Sequence, residues 1–217
     1  RNRIALHCEA GGLMVDVGSN NGWFVLFAAA LGCRGLAFEP QPRMQRVLRQ
    51  SIEINGFGER VKLIPNPVFS SRKVMRMDIP ENGWYDAAKI SDDGQYAVET
   101  VVLSELIHED VAFLKIDTDG AETEIMKDVG KIMERHTINN LYIKFSPKHE
   151  FECIEVLEML HSFGYKISFM RDAWEQLTTI DWDVNLRMVP VPPAEFKTVF
   201  LNQQRQAVDY HHMWCWK

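Results

Sequence analysis

Stretches with the hydrophobic patterns of strands and of helices alternate along most of the chain. Leu13–Val17 is a nearly continuous apolar run, which is typical of a strand buried on both faces. A helix is predicted at residues 22–31, and a second strand at residues 35–38. Pro42 then begins a helix whose apolar residues recur at helical spacing until Asn55. This alternation predicts an α/β fold with a mainly parallel sheet.

The pattern changes between residues 69 and 103. Short pieces of alternating polar and apolar residues are separated there by the turns Pro80-Glu81-Asn82-Gly83 and Asp92-Asp93-Gly94. Such punctuated pieces are typical of β-hairpins. We therefore predict a β-hairpin region that is inserted into the α/β fold or added to the edge of its sheet.

The α/β alternation resumes after this region. Strands are predicted at residues 61–64, before this region, and at residues 111–116, 141–145, 165–170 and 196–201, after it. The polar residues 171–194 are predicted to form a loop over one end of the sheet, and the aromatic tail at 211–216 to pack in the core. The chain has 217 residues, of which 46% are hydrophobic. This is enough for a single domain that spans residues 1–217.

Charge limits the classes of partner. The net charge is -6 and the sequence pI is about 5.7, so the chain lacks the positive field that attracts nucleic acids or anionic lipids. We expect no nucleic-acid partner, and no apolar run approaches the roughly 18 residues of a membrane-spanning helix.

Since the sequence begins at Arg1 rather than Met, an upstream signal or anchor is compatible with it. The sequence does not determine the cellular compartment, and the cytoplasm is the default expectation. No pattern indicates an oligomeric state.

Four cysteines are widely separated along the chain: Cys8, Cys33, Cys153 and Cys215. They form no Cys-x-x-Cys pair and no cluster with histidine at the spacing of zinc ligands, so no metal is predicted. Reduced thiols are the favoured interpretation, although the even count leaves a disulfide open.

The strongest local signal follows the first strand directly. The segment Val15-Asp16-Val17-Gly18-Ser19-Asn20-Asn21-Gly22 joins this strand to a helix. Glycine lets the backbone turn sharply and approach a ligand, and the helix start presents free N–H groups. Glu39 lies 21 residues after Gly18, at the end of the second strand.

Ligands of open α/β sheets bind outside the carboxyl ends of the strands. Glu39 is therefore placed to accept hydrogen bonds from both hydroxyls of a ribose. The alternative is an ordinary strand–helix turn with Glu39 as a helix cap. The combination of the glycine segment with an acid at this spacing favours the binding site.

The spacing also favours an adenosyl amino acid over a dinucleotide. The dinucleotide fingerprint Gly-x-Gly-x-x-Gly faces a pyrophosphate, whereas this chain has an acid, Asp16, followed by Gly18 and Gly22. The carboxylate of Asp16 would repel a pyrophosphate in a low dielectric, but it suits a ligand with an ammonium group. A nicotinamide-dependent oxidoreductase is the less favoured alternative.

These residues resemble the FkbM-type methyltransferases, which use S-adenosylmethionine. The likeness includes the glycine segment, Ala37-Phe38-Glu39-Pro40 and Ile64-Pro65-Asn66-Pro67-Val68. Its most specific part is Leu114-Lys115-Ile116-Asp117-Thr118-Asp119-Gly120-Ala121-Glu122, which is similar to the family signature L-K-I-D-x-E-G-A-E. The resemblance covers about residues 13–170.

The resemblance implies the class I methyltransferase fold, a Rossmann-like, mostly parallel sheet of seven strands whose last strand is antiparallel. It also implies S-adenosylmethionine as cofactor and O-methylation of a small-molecule or glycan acceptor. The residues that it places at the methionine end of the cofactor are Asp16, Gly18, Ser19, Asn20 and Gly22. Glu39, followed by Pro40, would bind the ribose, and Asn66 would lie near the adenine.

Asp117, at the carboxyl end of the central fourth strand, is the candidate base for a hydroxyl acceptor. A hydrogen bond to the cofactor or a loop, without proton transfer, is the equal alternative. Asp119 and Glu122 have the spacing of a capping box and are predicted to cap the next helix. Magnesium ligation by these three acids is less favoured.

Two positions depart from the family pattern. Asp119 stands where the family usually has glutamate, which is a mild change. Lys144 stands where the family commonly has an acid, and this charge reversal predicts a different acceptor or lost activity. A methyltransferase fold that is kept only as a binding module is therefore a further alternative.

Overall fold

The computed structural model describes residues 7–79, 88–90, 93–145, 150–170, 190–198 and 211–217. The strands within these residues are β1 (Leu13–Val17), β2 (Arg34–Phe38), β3 (Val61–Ile64), β4 (Val74–Asp78), β5 (Lys89–Ile90), β6 (Tyr96–Glu99), β7 (Val111–Ile116), β8 (Asn140–Phe145), β9 (Lys166–Met170) and β10 (His211–Trp216). The helices are α1 (Trp23–Ala30), α2 (Pro42–Ile54), α3 (Glu122–Met133) and α4 (Glu150–Ser162). The first strands and helices, up to β3, therefore lie where the hydrophobic pattern predicts them.

Seven strands form the main sheet, in the order β3-β2-β1-β7-β8-β10-β9. Neighbouring strands are parallel from β3 to β8, and β10 runs antiparallel to both β8 and β9. The central strands β1 and β7 are buried along their whole length, which explains their continuous apolar sequence. The predicted seven-stranded, mostly parallel sheet with an antiparallel last strand is confirmed.

Helices cover both faces of the main sheet. On one face, Ile125 and Val129 of α3 belong to the same apolar cluster as Leu114 of β7. On the other face, Val25 of α1 belongs to a cluster with Met14 of β1. This packing fixes the carboxyl ends of β1, β2 and β7 at one edge of the sheet. Within the described residues, no helix has the length and apolarity needed to cross a bilayer.

The region between residues 69 and 103 forms a separate three-stranded antiparallel sheet in the order β5-β4-β6. The predicted hairpin insertion is confirmed, whereas an addition to the edge of the main sheet is not what the structure shows. Residues 80–87 and 91–92, which include parts of both predicted turns, lie outside the described residues. Thr100 joins the ends of the insertion, since its hydroxyl donates to the carbonyl of Ser71 at 2.7 Å.

The end of the chain differs from the prediction. Pro193–Glu195 is a 3-10 turn that continues helically through residues 196–198, so the strand predicted at 196–201 is wrong in its described part. The last strand is instead β10, the aromatic tail, in which Met213 and Cys215 are buried on one face. Trp214 and Trp216 lie on the other face, so both faces are apolar and the sequence lacks the alternation of polar and apolar residues that marks a half-buried strand. Most of the predicted loop, residues 171–189, lies outside the described part.

A disulfide joins Cys8 to Cys33, 25 residues apart. The favoured interpretation of reduced thiols is therefore wrong for this pair. The bond connects the segment before β1 to the turn between α1 and β2. Cys153 and Cys215 are buried free thiols, and burial raises the pKa of Cys153 to about 12.

Candidate cofactor site and active site

The loop between β1 and α1 turns through the left-handed region three times. The φ angles are 75° at Gly18, 50° at Asn20 and 88° at Gly22. A Cβ atom on Gly18 would lie 1.9 Å from the carbonyl oxygen of Asp117, and one on Gly22 would lie 2.2 Å from the side chain of Leu48. Both the positive φ angles and the close packing therefore require glycine at these two positions.

Glu39 lies directly against this loop. Its Oε2 atom accepts a hydrogen bond from the N–H of Asn20 at 2.7 Å, and its Oε1 atom accepts one from the N–H of Gln41 at 2.8 Å. The residue is 2% exposed. Burial raises the pKa of Glu39, and the two backbone hydrogen bonds oppose this rise. The sequence spacing of the loop and the acid thus corresponds to a real contact.

Both carboxylate oxygens of Glu39 keep an acceptor position. Each oxygen has two such positions, and the hydrogen bonds from Asn20 and Gln41 use one on each oxygen. The predicted hydrogen bonds from the two hydroxyls of a ribose to the remaining positions stay a prediction. A carboxylate that was only a helix cap would not also hold the glycine loop.

Asp16 is fully buried beneath the loop. Its Oδ2 atom accepts a hydrogen bond from the N–H of Val25 at 3.2 Å, and its Oδ1 atom lies 3.1 Å from Nζ of Lys115. Its backbone carbonyl accepts the hydroxyl of Ser19 at 2.6 Å. Burial raises the pKa of Asp16, and the attraction of Lys115 opposes this rise. The Asp16 carboxylate thus engages the protein itself, and its predicted contact with the cofactor stays a prediction.

Lys115 is a site residue to which the sequence analysis assigned no role. It lies on β7, is 3% exposed, and donates from Nζ to the carbonyl of Gly18 at 2.5 Å. The signal was a lone cation in the apolar run Val111–Ile116. A lysine is almost never fully buried unless it is paired, so the run pointed to an acidic partner.

Pro40 and Asn66 lie at the same edge of the sheet as Glu39. Pro40 follows Glu39 in the turn that leads to α2. The N–H of Glu39 donates to the carbonyl of Ile64 at 3.2 Å, which places Asn66 just beyond the neighbouring strand end. The Asn66 side chain donates to the carbonyl of Glu99 at 3.0 Å and so ties β3 to the hairpin insertion.

The second group of charges lies after β7 and β8. Nζ of Lys144 is 2.9 Å from Oδ1 of Asp117 and 3.0 Å from Oδ1 of Asp119. Burial lowers the pKa of Lys144, but the attraction and hydrogen bonds of the two acids outweigh burial and raise it. The candidate base Asp117 therefore forms an ion pair with Lys144, the residue at which the sequence departs from the family pattern.

Glu122 does not form the predicted capping box with Asp119. The N-cap residue of α3 is Ala121, and Asp119 turns towards Lys144 instead. The Glu122 carboxylate accepts hydrogen bonds from the N–H groups of Thr118 and Gly120, at 2.8 and 3.0 Å. Glu122 thus closes the loop after β7. The described residues contain no group of three or more histidine, cysteine or acidic side chains that could hold a metal ion.

The family model described as Methyltransferase FkbM domain matches residues 16–167. The chain belongs to the FkbM methyltransferase family. The matched residues include the glycine loop, Glu39, Asn66 and the segment after β7. Membership confirms the predicted family and S-adenosylmethionine as the cofactor, and it decides against a nicotinamide-dependent oxidoreductase.

Solved structures with a similar fold are also methyltransferases. One is the FkbM methyltransferase from Methylobacillus flagellatus, with a TM-score of 0.54 and 16% identity over 79% of this chain. This chain spans 44% of that protein's length. An rRNA methylase from Streptococcus thermophilus has a TM-score of 0.51 and 15% identity over 99% of this chain and 92% of its own.

A third similar structure was solved with S-adenosylhomocysteine (SAH). It is SMU.1697c, a putative methyltransferase from Streptococcus mutans, with a TM-score of 0.51 and 10% identity over 95% of this chain and 89% of its own. No curated protein matches the sequence. At these identities the structures show a shared class I methyltransferase fold.

Proposed function

We propose that this protein transfers a methyl group from S-adenosylmethionine to a hydroxyl of a sugar or of another small metabolite. The observation that carries the proposal is the hydrogen bond from the N–H of Asn20 to Glu39, at 2.7 Å. It joins the glycine loop of β1 to the acid that ends β2. A single adenosyl ligand can therefore reach both groups at the edge where α/β sheets bind nucleosides.

Different residues hold different parts of the cofactor. Glu39 accepts hydrogen bonds from the two ribose hydroxyls, and Asn66 lies on the adenine side. The loop from Gly18 to Gly22 surrounds the methionine end. S-adenosylmethionine supplies a methyl group that its sulfonium already activates, so the protein has mainly to orient the acceptor and remove its proton.

Asp117 is the proposed base. Its backbone carbonyl packs against Gly18, and this supports a position beside the methionine end of the cofactor. Its side chain is partly exposed and is held by Lys144 at 2.9 Å. An acceptor hydroxyl that donates to this carboxylate can give up its proton there. Lys144 thereby fixes the direction from which the acceptor approaches.

The charges around Asp117 support a small acceptor rather than a nucleic acid. Among the described residues, Asp117 and Asp119 face one ammonium, that of Lys144, so these three side chains together carry a net negative charge. Such a group repels a polyanionic acceptor and tolerates a neutral, hydroxylated one. Methyl uptake by RNA, and not by sugars or hydroxylated metabolites, would overturn this part of the proposal.

Calorimetric titration with SAH tests the cofactor site. Glu39→Ala should weaken SAH binding roughly a hundredfold, because two hydrogen bonds to a charged acceptor are lost. Glu53→Ala, at an exposed position on α2, is the matched control and should bind as the wild type does. Wild-type affinity in Glu39→Ala would sink the proposed site, whereas binding without methyl transfer to any acceptor would favour the binding-module alternative.

The pH dependence of SAH binding provides a second test. Because burial raises the pKa of Glu39 above its usual 4.5, the carboxylate gains a proton at a higher pH than an exposed glutamate does. SAH affinity should therefore fall as the pH is lowered through this pKa. Glu39→Gln should bind more weakly at neutral pH and lack this dependence. An identical pH profile in both proteins would contradict the assignment.

A further inference from the structure

Lys115 is a charged residue in the middle of a hydrophobic sheet. Every residue of β7 is buried, and Lys115 pairs in register with Asp16 of β1. The two side chains form an ion pair of 3.1 Å in which Asp16 has no exposure and Lys115 almost none. Removal of one charge from such a pair leaves the other buried without a counterion, which is strongly destabilising. The pair therefore constrains this part of the sheet.

Lys115 also holds the glycine loop. The left-handed conformation of Gly18 turns its carbonyl towards Lys115, and Nζ donates to this oxygen at 2.5 Å. The carbonyl of Gly18 is partly buried, and Lys115 donates to it. Two residues further along, the N–H of Asn20 donates to Glu39. The loop is thus held from both sides, by an ammonium on β7 and by a carboxylate after β2.

The third effect of Lys115 is electrostatic. Burial is the main influence on Glu39 and raises its pKa, while the positive charge of Lys115 lowers it. Lys115 therefore helps to keep the ribose-binding candidate ionised. On the α1 side, its ammonium lies over the ring of Phe24, 5.5 Å from the ring centre, at the distance of a cation–π contact.

We propose that Lys115 is a positioning residue for the cofactor: its ammonium fixes the Gly18 carbonyl and the Asp16 carboxylate, and so sets the loop that receives the methionine end of S-adenosylmethionine. This inference rests on the proposed function. It gives Asp16 a role that differs from the predicted one. Asp16 is the counterion of Lys115 rather than the partner of the cofactor's ammonium group.

The test compares the binding of SAH with that of adenosine, which lacks the methionine end. Lys115→Met should weaken SAH binding about tenfold to a hundredfold, since the partly buried carbonyl of Gly18 and the buried carboxylate of Asp16 both lose their partner. Adenosine should lose less affinity, because Glu39 still holds its ribose and Lys115 acts on that contact only through the pKa of Glu39. Lys62→Met, at an exposed lysine of β3 in the same sheet, is the matched control and should leave both affinities unchanged.

The double variant Asp16→Asn/Lys115→Met keeps the test decisive if Lys115→Met does not fold. It removes both charges, so it should fold, as judged by circular dichroism, and still bind SAH weakly. Wild-type SAH affinity in either variant, an equal loss of SAH and adenosine binding, or unfolding of the double variant would each overturn the positioning role. Wild-type protein that binds neither ligand would overturn the proposed function as well.

Discussion

The two halves of the main sheet differ in how their charged side chains are buried and paired. In the cofactor half, formed by β3, β2, β1 and β7, the ammonium of Lys115 is buried against Asp16 and Gly18. In the acceptor half, formed by β8, β10 and β9, the side chain of Lys144 is 17% exposed and faces both Asp117 and Asp119, which follow β7. The first pair is balanced and buried, whereas the second group has, within the described part of the chain, one acid more than it has cations and is partly exposed.

The loops that follow the central strands show the same contrast. Gly18, after β1, has no room for a side chain beside Asp117. Gly120, after β7, has a positive φ angle but no atom within 4 Å of the position of a Cβ. The loop after β1 is thus packed closely against its neighbours, whereas the loop after β7 has open space at Gly120.

The largest effect is expected from a methyl group added to a closely packed glycine, compared with one added to a glycine in open space. Gly18→Ala should lower the free energy of unfolding by about 3 kcal/mol or more and abolish SAH binding, because its Cβ meets a backbone carbonyl. Gly56→Ala has a similar φ of 67° but open space. It should cost only about 1–2 kcal/mol and leave SAH binding intact. Chemical denaturation and calorimetry would measure both effects, and equal losses would refute the packing argument.

Removal of the disulfide should lower the stability of the protein but should hardly change its affinity for SAH. Cys8→Ser/Cys33→Ser should lower the free energy of unfolding by about 3 kcal/mol, since the bond closes a loop of 25 residues. A Tm lower by about 6–12 °C is expected for a chain of this length, with little change in SAH affinity. Thiol titration of the denatured, unreduced protein should find only Cys153 and Cys215. Four reactive thiols would show that the bond is absent.

The smallest effect on the cofactor is expected from the acceptor half. Lys144→Met should change SAH affinity less than about fivefold, because a partly exposed ion pair contributes little energy. The same variant should alter methyl transfer once an acceptor is identified, since Asp117 loses its partner. A decrease in SAH affinity as large as that expected for Lys115→Met would remove the distinction between the halves.

Much of the fold could be predicted because buried parallel strands have a simple sequence pattern. The runs of β1 and β7 are apolar on both faces, and the glycines of the first loop mark a turn that other residues cannot make. The strand β10 was missed because it pairs with strands distant in sequence, and residues 196–198 were misassigned because their hydrophobicity reflects a single buried phenylalanine, Phe196. Pairing partners and burial are tertiary properties that a local pattern does not contain.

The sequence by itself determined the α/β class, the methyltransferase family, and the glycine loop and acid that meet at one edge of the sheet. Short-range rules are sufficient there, since a glycine turn and an acid at the next strand end are encoded within a few dozen residues. Only the tertiary structure decided which charges meet: Lys115 with Asp16, Lys144 with Asp117 and Asp119, and Cys8 with Cys33. These contacts depend on strand order and register, which bring residues far apart in sequence to within a few ångströms of each other.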